Sequence, residues 1–311
     1  MSLTCGAALA LAWAVDARFG EPRNAWHPVA WFGRACAPLG PVLLRLRPAA
    51  ALLAGAVAWA LAVGAVAALA WALQRLLLAQ PGWLAVPLLA LALKPSFAWR
   101  MLCDEVQAVD TALAQGLPAG RAQLARLCSR DVSALDETAV RETAIETLAE
   151  NLNDSLVAPL FWFVVAGLPG AWAFRAANTL DAMWGYRGRW EWAGKCAARA
   201  DDLLCWLPAR LTAALLWRPA LPLRVLAREA RATPSPNGGW PMAAMALRLD
   251  VRLGKPGVYT LHAAGQGADG AAVQQALRVA RQAAVAAVVL AVLVLAVPAL
   301  AARGLWAGVA G

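Results

Sequence analysis

Long apolar runs without charge alternate along this chain with short polar stretches rich in Gly, Pro and Arg. Pro48 to Gln74, Leu76 to Leu93 and Gln282 to Ala302 hold no charged residue, and each is bounded by Arg or Lys. Each approaches or exceeds the roughly 20 residues a helix needs to cross about 30 Å of hydrocarbon. The first fifteen residues, MSLTCGAALALAWAV, are a shorter fourth candidate. They have no basic n-region and no clear small-residue cleavage site before Asp16, so a cleaved signal peptide is not expected. A segment in hydrocarbon must satisfy its own backbone, which favours helices. The expected fold is all-α: a polytopic integral membrane protein with about four spanning helices, in one membrane-embedded domain over 1–311, with strands only in short loops. No internal repeat stands out.

The uncharged run after Asp154 differs, because Gly167, Pro169 and Gly170 break it into two helices of about a dozen residues, roughly 18 Å each. Neither half spans alone. A re-entrant hairpin would return Asn178 and Asp181 to the side of Glu150, whereas a kinked span would carry them across. LLCWLPARLTAALLW, interrupted by Pro208 and Arg210, is likewise too short for a clear span. Re-entrant or interfacial helices are favoured in both places, since they gather the polar clusters on one face.

Composition agrees with the pattern: 61% of residues are hydrophobic, 15% are charged, and 16 Trp stand against 2 Tyr and 6 Phe. The net charge of +9 comes from Arg spread over loops, not from the basic run with interleaved aromatics that a nucleic-acid groove needs, so no nucleic-acid partner is expected. The charge reads as topology. Arg18, Arg23, Arg34, Arg45 and Arg47 precede the Pro48 run, while the AQPGW link beyond it has none, which places the former in the cytoplasm, the N-terminus outside and the protein in the cell's inner membrane. Six Cys without CxxC spacing and only two His offer no zinc or His-based metal site, and disulfides are not expected.

Chemistry concentrates in RDVSALDETAVRETAIETLAENLND, Arg130 to Asp154. Ser133 followed by Asp136 reads as a capping box that starts a helix. Glu142, Glu146, Glu150 and Asp154 then recur every four residues, about 6 Å apart along one face. Such a stripe opposite Val140, Ile145 and Leu148 is ordinarily a solvated face. Here it enters an apolar segment within one turn, which points to a bound cation or polar ligand. Four more clusters are DARFGEPRNAWHPVAWFG (Asp16 to Gly33), RAANTLDAMWGY (Arg175 to Tyr186), KCAARADDLLCWLPAR (Lys195 to Arg210) and SPNGGWP (Ser235 to Pro241). Singly, each is common turn, helix-start or interfacial material.

In this order the clusters resemble the cobinamide-phosphate synthase family of cobalamin biosynthesis, called CobD or CbiB, over most of the chain from Asp16 to about Tyr259. Its D-x3-G-[DE]-P…HPV…G, RD-x-S-x-LD, ET-x-AEN-x-x-D, NTLD-x-M-x-GY, ARxDD…PARL and SPNxGWP elements can all be read here. The chain departs from the pattern at Cys205, where Asn is frequent, and at Met242, where Glu is frequent. The resemblance implies amide ligation: the free propionate of adenosylcobyric acid is joined to aminopropanol or its O-phosphate, with ATP activating the carboxylate as an acyl phosphate or adenylate. That chemistry needs Mg²⁺ on phosphates, cations for developing charge and an acceptor for the amine proton.

Glu146, Glu150 and Asp154 are the expected Mg²⁺ ligands, with Asp201 and Asp202 as a second pair; Glu146 and Glu150 also count as candidate catalytic carboxylates. Arg130, Lys195, Arg199 and Arg210 are expected on phosphate or propionate, and Asp181 or His27 on the amine proton. Asp16, Asp131, Asn151, Asn178, Ser235 and Asn237 complete the expected substrate contacts. Trp162, Trp184, Trp190, Trp192, Trp206 and Trp240 are expected to form a bowl for the corrinoid. The other expected partners are the bilayer and further cobalamin-assembly enzymes. No Walker or dinucleotide glycine motif marks the nucleotide site. Two other classes compete with the enzyme: a membrane scaffold or sensor resembling the AmpE family, and a transporter, which would show repeat symmetry.

Overall fold

The computed structural model describes residues 2–218 and 221–307. Helices α1 (Ser2–Phe19), α2 (Pro28–Cys36), α3 (Leu39–Leu43), α4 (Pro48–Leu78) and α5 (Gly82–Leu93) lead to a 3₁₀ turn at Lys94–Ser96. Next come α6 (Trp99–Leu113), α7 (Leu117–Leu124) and α8 (Glu137–Leu152), and a π turn at Asn153–Val157 passes the chain into α9 (Ala158–Trp184). After a second 3₁₀ turn at Gly188–Trp190 follow α10 (Lys195–Leu204), α11 (Trp206–Leu216), α12 (Leu223–Ala230) and α13 (Gly239–Leu249). A small antiparallel hairpin, β1 (Leu253–Lys255) with β2 (Tyr259–Leu261), pairs Leu253 with Leu261 and Lys255 with Tyr259, and α14 (Gly270–Ala307) ends the description.

The chain is an all-α polytopic membrane protein. Among the described residues, four helical segments are long and apolar enough to cross a bilayer: Pro48–Leu78, Gly82–Leu113, Glu137–Trp184 and Gly270–Val297. The membership differs from the reading of the sequence. The run from Leu76 to Leu93 is cut at Gln80 and Pro81, so its first residues finish α4 and the rest form the 12-residue α5. The N-terminal stretch is a helix packed on α5 but falls outside the four.

The fold divides into two compact units of interleaved segments: one from the chain up to Ala98, Ala158–Leu204 and the chain from Val288, the other from Trp99–Val157 and Cys205–Ala287. In the first, α4 is apolar on every side, and Leu53, Val57, Leu61, Leu69 and Trp71 stay exposed, as a lipid-facing helix requires. Most of its buried residues, Ala51, Gly55, Val63 and Ala70, are small, with Leu77 at its end. Lipid is as apolar as a side chain, so close backbone approach must supply the association energy. Gly55 allows it, since a Cβ there would collide with the Ala193 carbonyl. Trp184 stacks on Trp190 at 6.2 Å in the same core.

Helix α9 is two arms joined at Gly167, whose φ of 69° and ψ of −154° lie outside the helical region. The second arm lies along α4 and α10, with its first amide, Leu168 N–H, donating to Gln74 Oε1 on α4 at 2.6 Å. The first arm folds back beside it: a Cβ on Gly170 would strike the Trp162 carbonyl, and Trp162 Nε1 reaches the Leu204 carbonyl at 3.1 Å, at the end of the helix whose Asp201 meets Asn178. This is a helical hairpin, not a kinked rod. Helix α11, 11 residues or about 16 Å, is too short to cross.

The second unit centres on α13, whose Ala243, Ala244, Met245 and Ala246 are fully buried against α8, α11 and α12. On α8, Ile145, Leu148 and Leu152 are also fully buried, each contributing about 1.5 to 3 kcal/mol. Asp136 is the N-cap of α8, its carboxylate accepting from Ala139 N at 2.8 Å. This corrects the expected capping box, because the Ser133 amide is instead held by Asp131 Oδ1 at 2.9 Å in a turn of its own.

Candidate functional site

The stripe on α8 lies within the second unit, and each carboxylate meets a different neighbour. Glu142 accepts from Arg252 Nη2 at 3.2 Å. Glu146, 1% exposed, takes a two-pronged guanidinium from Arg130, with Nη2 on Oε1 at 2.7 Å and Nη1 on Oε2 at 3.3 Å, and a third hydrogen bond from the Tyr259 hydroxyl. Arg130 Nη1 also reaches Thr143 Oγ1 and the Gly254 carbonyl, both at 3.3 Å, which ties the hairpin of β1 and β2 to α8. Burial works against the charge on Arg130, but the pair with Glu146 prevails and raises its pKa. Burial and the neighbouring Glu146 push the Tyr259 phenol upward, so it stays protonated and donates. Asp154, in the π turn, accepts from Asn153 Nδ2 at 2.7 Å and from Cys205 Sγ at 3.7 Å, while Asn153 Oδ1 takes the Thr212 hydroxyl at 3.1 Å.

Glu150 stands apart. Its carboxylate has no hydrogen-bond or ion-pair partner among the described residues, and it lies against Gly238, where a Cβ would sit 2.7 Å from Oε1. The SPNGGWP turn brings that glycine into place. Ser235 Oγ accepts from Asn237 N at 3.2 Å and Gly238 N at 3.1 Å, and Gly239 packs on the Ala230 carbonyl with no room for a side chain. Arg210 clamps the turn from α11, donating to Asn237 Oδ1 at 2.6 Å and to the Pro236 carbonyl at 3.0 Å. Its guanidinium lies between Trp206 and Trp240, 4.7 and 4.9 Å from the ring centres. Burial lowers the Arg210 pKa. Arg130 and Arg210, expected on substrate anions, are thus engaged by the protein itself.

The carboxylates do not converge as metal ligands. Among the described residues no three His, Cys, Asp or Glu side chains form a group that could hold a metal ion, so Glu146, Glu150 and Asp154, expected as oxygen ligands of Mg²⁺ from one helical face, do not come together as a set. Positions four apart drift by about 40° per step around a helix, and the partners of Glu146 and Asp154 turn them further. Asp201 and Asp202 diverge as well: Asp201 accepts from Asn178 Nδ2 at 3.2 Å, whereas Asp202 faces the exposed Arg199 at 3.6 Å. Burial pushes the Asp202 carboxyl up, against the opposing charge of Arg199.

In the first unit a separate polar cluster forms. Lys94 Nζ is 3.0 Å from Asp16 Oδ1 and also bonds Glu21, whose other oxygen lies 2.8 Å from His27 Nε2. His27 is the N-cap of α2, its Nδ1 accepting from Val29 N at 3.2 Å. The imidazole therefore carries its proton on Nε2, toward Glu21, and has no lone pair left for an amine proton; this corrects its expected catalytic role. Asp16, fully buried on Lys94, is likewise a structural ion rather than a substrate contact. Burial alone would raise the Glu21 carboxyl, but His27 and Lys94 hold it below the usual range.

The remaining expected residues are local. Asn151 bonds the Thr147 carbonyl at 3.0 Å, Lys195 pairs with Glu191 at 2.8 Å over the Trp192 ring, and Asp181 sits on the second arm of α9 with its carboxylate against Gly185. The Trp bowl does not form as a set. Trp184 and Trp190 are core, Trp162 is bonded to backbone, and Trp206 and Trp240 grip Arg210. Lys94 and Tyr259 were missed by sequence reasoning; a lone Lys ending an apolar run is a signal, since charge at membrane depth needs a partner.

Against known proteins, the sequence matches the family described as CobD/Cbib protein over residues 9–289. It is 42% identical over 272 residues to the cobalamin biosynthesis protein CobD of Rhodobacter capsulatus, covering 83% of this chain and 82% of the relative. The CobD of Stutzerimonas stutzeri is 44% identical over 268 residues, 84% and 86% of the two chains. A probable CobD of Pyrococcus abyssi is 44% identical over 256 residues, 81% and 83%. No solved structure matches the chain.

Proposed function

Because this chain belongs to the CobD/CbiB family and so is a membrane enzyme of cobalamin biosynthesis, we propose that it joins aminopropanol or its O-phosphate to the free propionate of adenosylcobyric acid. In this reading the propionate oxygen attacks ATP, presented as its Mg²⁺ complex, and displaces ADP or pyrophosphate to give an acyl phosphate or acyl adenylate. The amine nitrogen then forms the C–N bond, the C–O bond to phosphate or AMP breaks with its electron pair, and the amine proton passes to Glu150. The site opens to the cytoplasm of the inner membrane, a placement supported by the Arg-rich flank before α4.

One observation carries the role of Glu150. It is the stripe carboxylate without a hydrogen-bond or ion-pair partner among the described residues, so its lone pairs remain available, and its close packing on Gly238 leaves no side chain between them. Arg130 and Tyr259, fastened on Glu146, position α8 rather than touch substrate. The deciding experiment is a mass-spectrometric assay of the purified protein with adenosylcobyric acid, Mg-ATP and each amine. The expected product is heavier by the amine minus water, and absence of product with intact protein overturns ligation. Glu150→Gln should lower the rate about 10²- to 10⁴-fold while the protein stays folded; an undiminished rate removes Glu150 from the chemistry but leaves the ligase standing.

A further inference from the structure

The second unit carries a run of arginines to which ligation assigns nothing. Arg218 follows the end of α11, and α12 with its C-cap then places Arg224, Arg228 and Arg231 at i, i+4 and i+7, on one helical face. Leu226 and Ala230 are buried on another face, where α12 packs on α13. All four arginines are exposed. Arg228 Nη2 donates to Glu229 Oε1 at 3.0 Å, and the other oxygen of Glu229 accepts from His262 N at 2.8 Å, so the carboxylate of α12 is occupied. The side chains of Arg218, Arg224 and Arg231 have no hydrogen-bond or ion-pair partner among the described residues.

A basic stripe is ordinarily a solvated face, but the level of this one follows from its neighbour. Helix α13, 11 residues or about 16 Å, is too short to cross hydrocarbon. Gly238, its N-cap, lies against Glu150, just before the charge-free run that opens at Ser155. At its far end Arg248 donates to Gln282 Oε1 at 3.4 Å, where the charge-free run of α14 begins, and to the Leu216 carbonyl at 3.1 Å. Both ends of α13 thus stand where apolar sequence enters the bilayer, so this helix lies along the membrane surface. Helix α12 shares that level. Its last residue, Ala230, meets the start of α13 at Gly239, and the link that leads into it departs from Leu216, beside Arg248. At the level of headgroups the groups that answer a guanidinium are phosphate oxygens, which its planar fork can bond in pairs. Four arginines on and beside an amphipathic helix make a cluster of the size that attracts anionic lipid. We propose that Arg218, Arg224, Arg228 and Arg231 dock α12 on the anionic phospholipid headgroups of the surrounding bilayer, with Leu223, 69% exposed in the first turn, against the acyl boundary.

The test is hydrogen–deuterium exchange of the full-length protein in nanodiscs of phosphatidylcholine, alone or mixed with phosphatidylglycerol. Amides of α12 should exchange about fivefold or more slowly with phosphatidylglycerol, the contribution of at least one arginine at an anionic surface, while those of α13 stay unchanged. At 1 M salt, where the Debye length shrinks to about 3 Å, the difference should close. Replacing Arg224, Arg228 and Arg231 together by Gln should erase it, and replacing them by Lys should keep most of it. Equal exchange in the two lipids, or a difference that survives the Gln variant or 1 M salt, overturns the proposal. Millimolar Mg-ATP or inorganic phosphate slowing α12 in phosphatidylcholine as much as phosphatidylglycerol does would also overturn it, in favour of a site for soluble anions. If the Gln variant does not fold, the lipid and salt comparisons on the unaltered protein still decide.

Discussion

Two clusters of acidic residues in this molecule look alike in sequence and behave differently in the fold. In the first unit, Asp16 and Glu21 share Lys94, and Glu21 is further bonded to His27, so buried charge is answered by buried charge. In the second, Arg252 answers Glu142 and Arg130 answers Glu146, but Glu150 has no hydrogen-bond or ion-pair partner among the described residues. A saturated network holds elements together, here α1, the loop after it, α2 and the Lys94 turn. A network with one acceptor to spare can take up a proton or a cation. The contrast teaches that the number of carboxylates matters less than whether the cations run out.

The comparison breaks most violently at Lys94. Lys94→Met would take from Asp16 and Glu21 the ammonium they share in the interior, and removing one side of a buried pair costs about 3 to 5 kcal/mol; the expected result is loss of folded protein, read by size-exclusion chromatography in detergent. Survival at full yield would mean that the cluster is not structural. Gly238→Ala probes the other side: its Cβ would press on Glu150 Oε1, and ligation should fall roughly 10- to 100-fold with little change in unfolding temperature. Away from both clusters, Gln74→Leu removes the acceptor of Leu168 N–H and should cost about 1 to 3 kcal/mol in thermal unfolding, a loss that Gln74→Glu partly avoids.

The gentlest test is pH. The Glu21 carboxyl titrates below its ordinary value in the fold, so the stability it confers is complete above the unfolded value near 4.5 and is lost as pH falls through its folded value. Unfolding temperature followed from pH 6 downward should therefore drop, and Glu21→Gln should flatten the part of that slope due to this residue.

Much of the architecture was legible because membrane insertion writes itself into composition. The apolar runs disclosed the all-α class, and the Gly167, Pro169, Gly170 cluster disclosed a break. The hairpin, however, rests on Gln74, which lies 94 positions from the amide it caps. The site was legible in its residue types but not in its pairings. Spacing of four put the carboxylates on one face, yet Tyr259 closes on Glu146 across 113 positions, and Lys94 on Glu21 across 73. His27 illustrates the same limit, since only the fold reveals that the backbone of α2 claims the nitrogen a catalyst would need.

The bond from Leu168 to Gln74 also bears on how the chain is made. An apolar hairpin with a broken tip exposes an amide that lipid cannot satisfy, so it is a poor candidate for early, independent insertion. Its acceptor lies on a helix synthesised some ninety residues earlier, and the N-terminal parts of a chain emerge first. The hairpin can thus enter the bilayer against a partner already waiting there, and a transplanted copy without that partner would be expected to stall at the membrane surface.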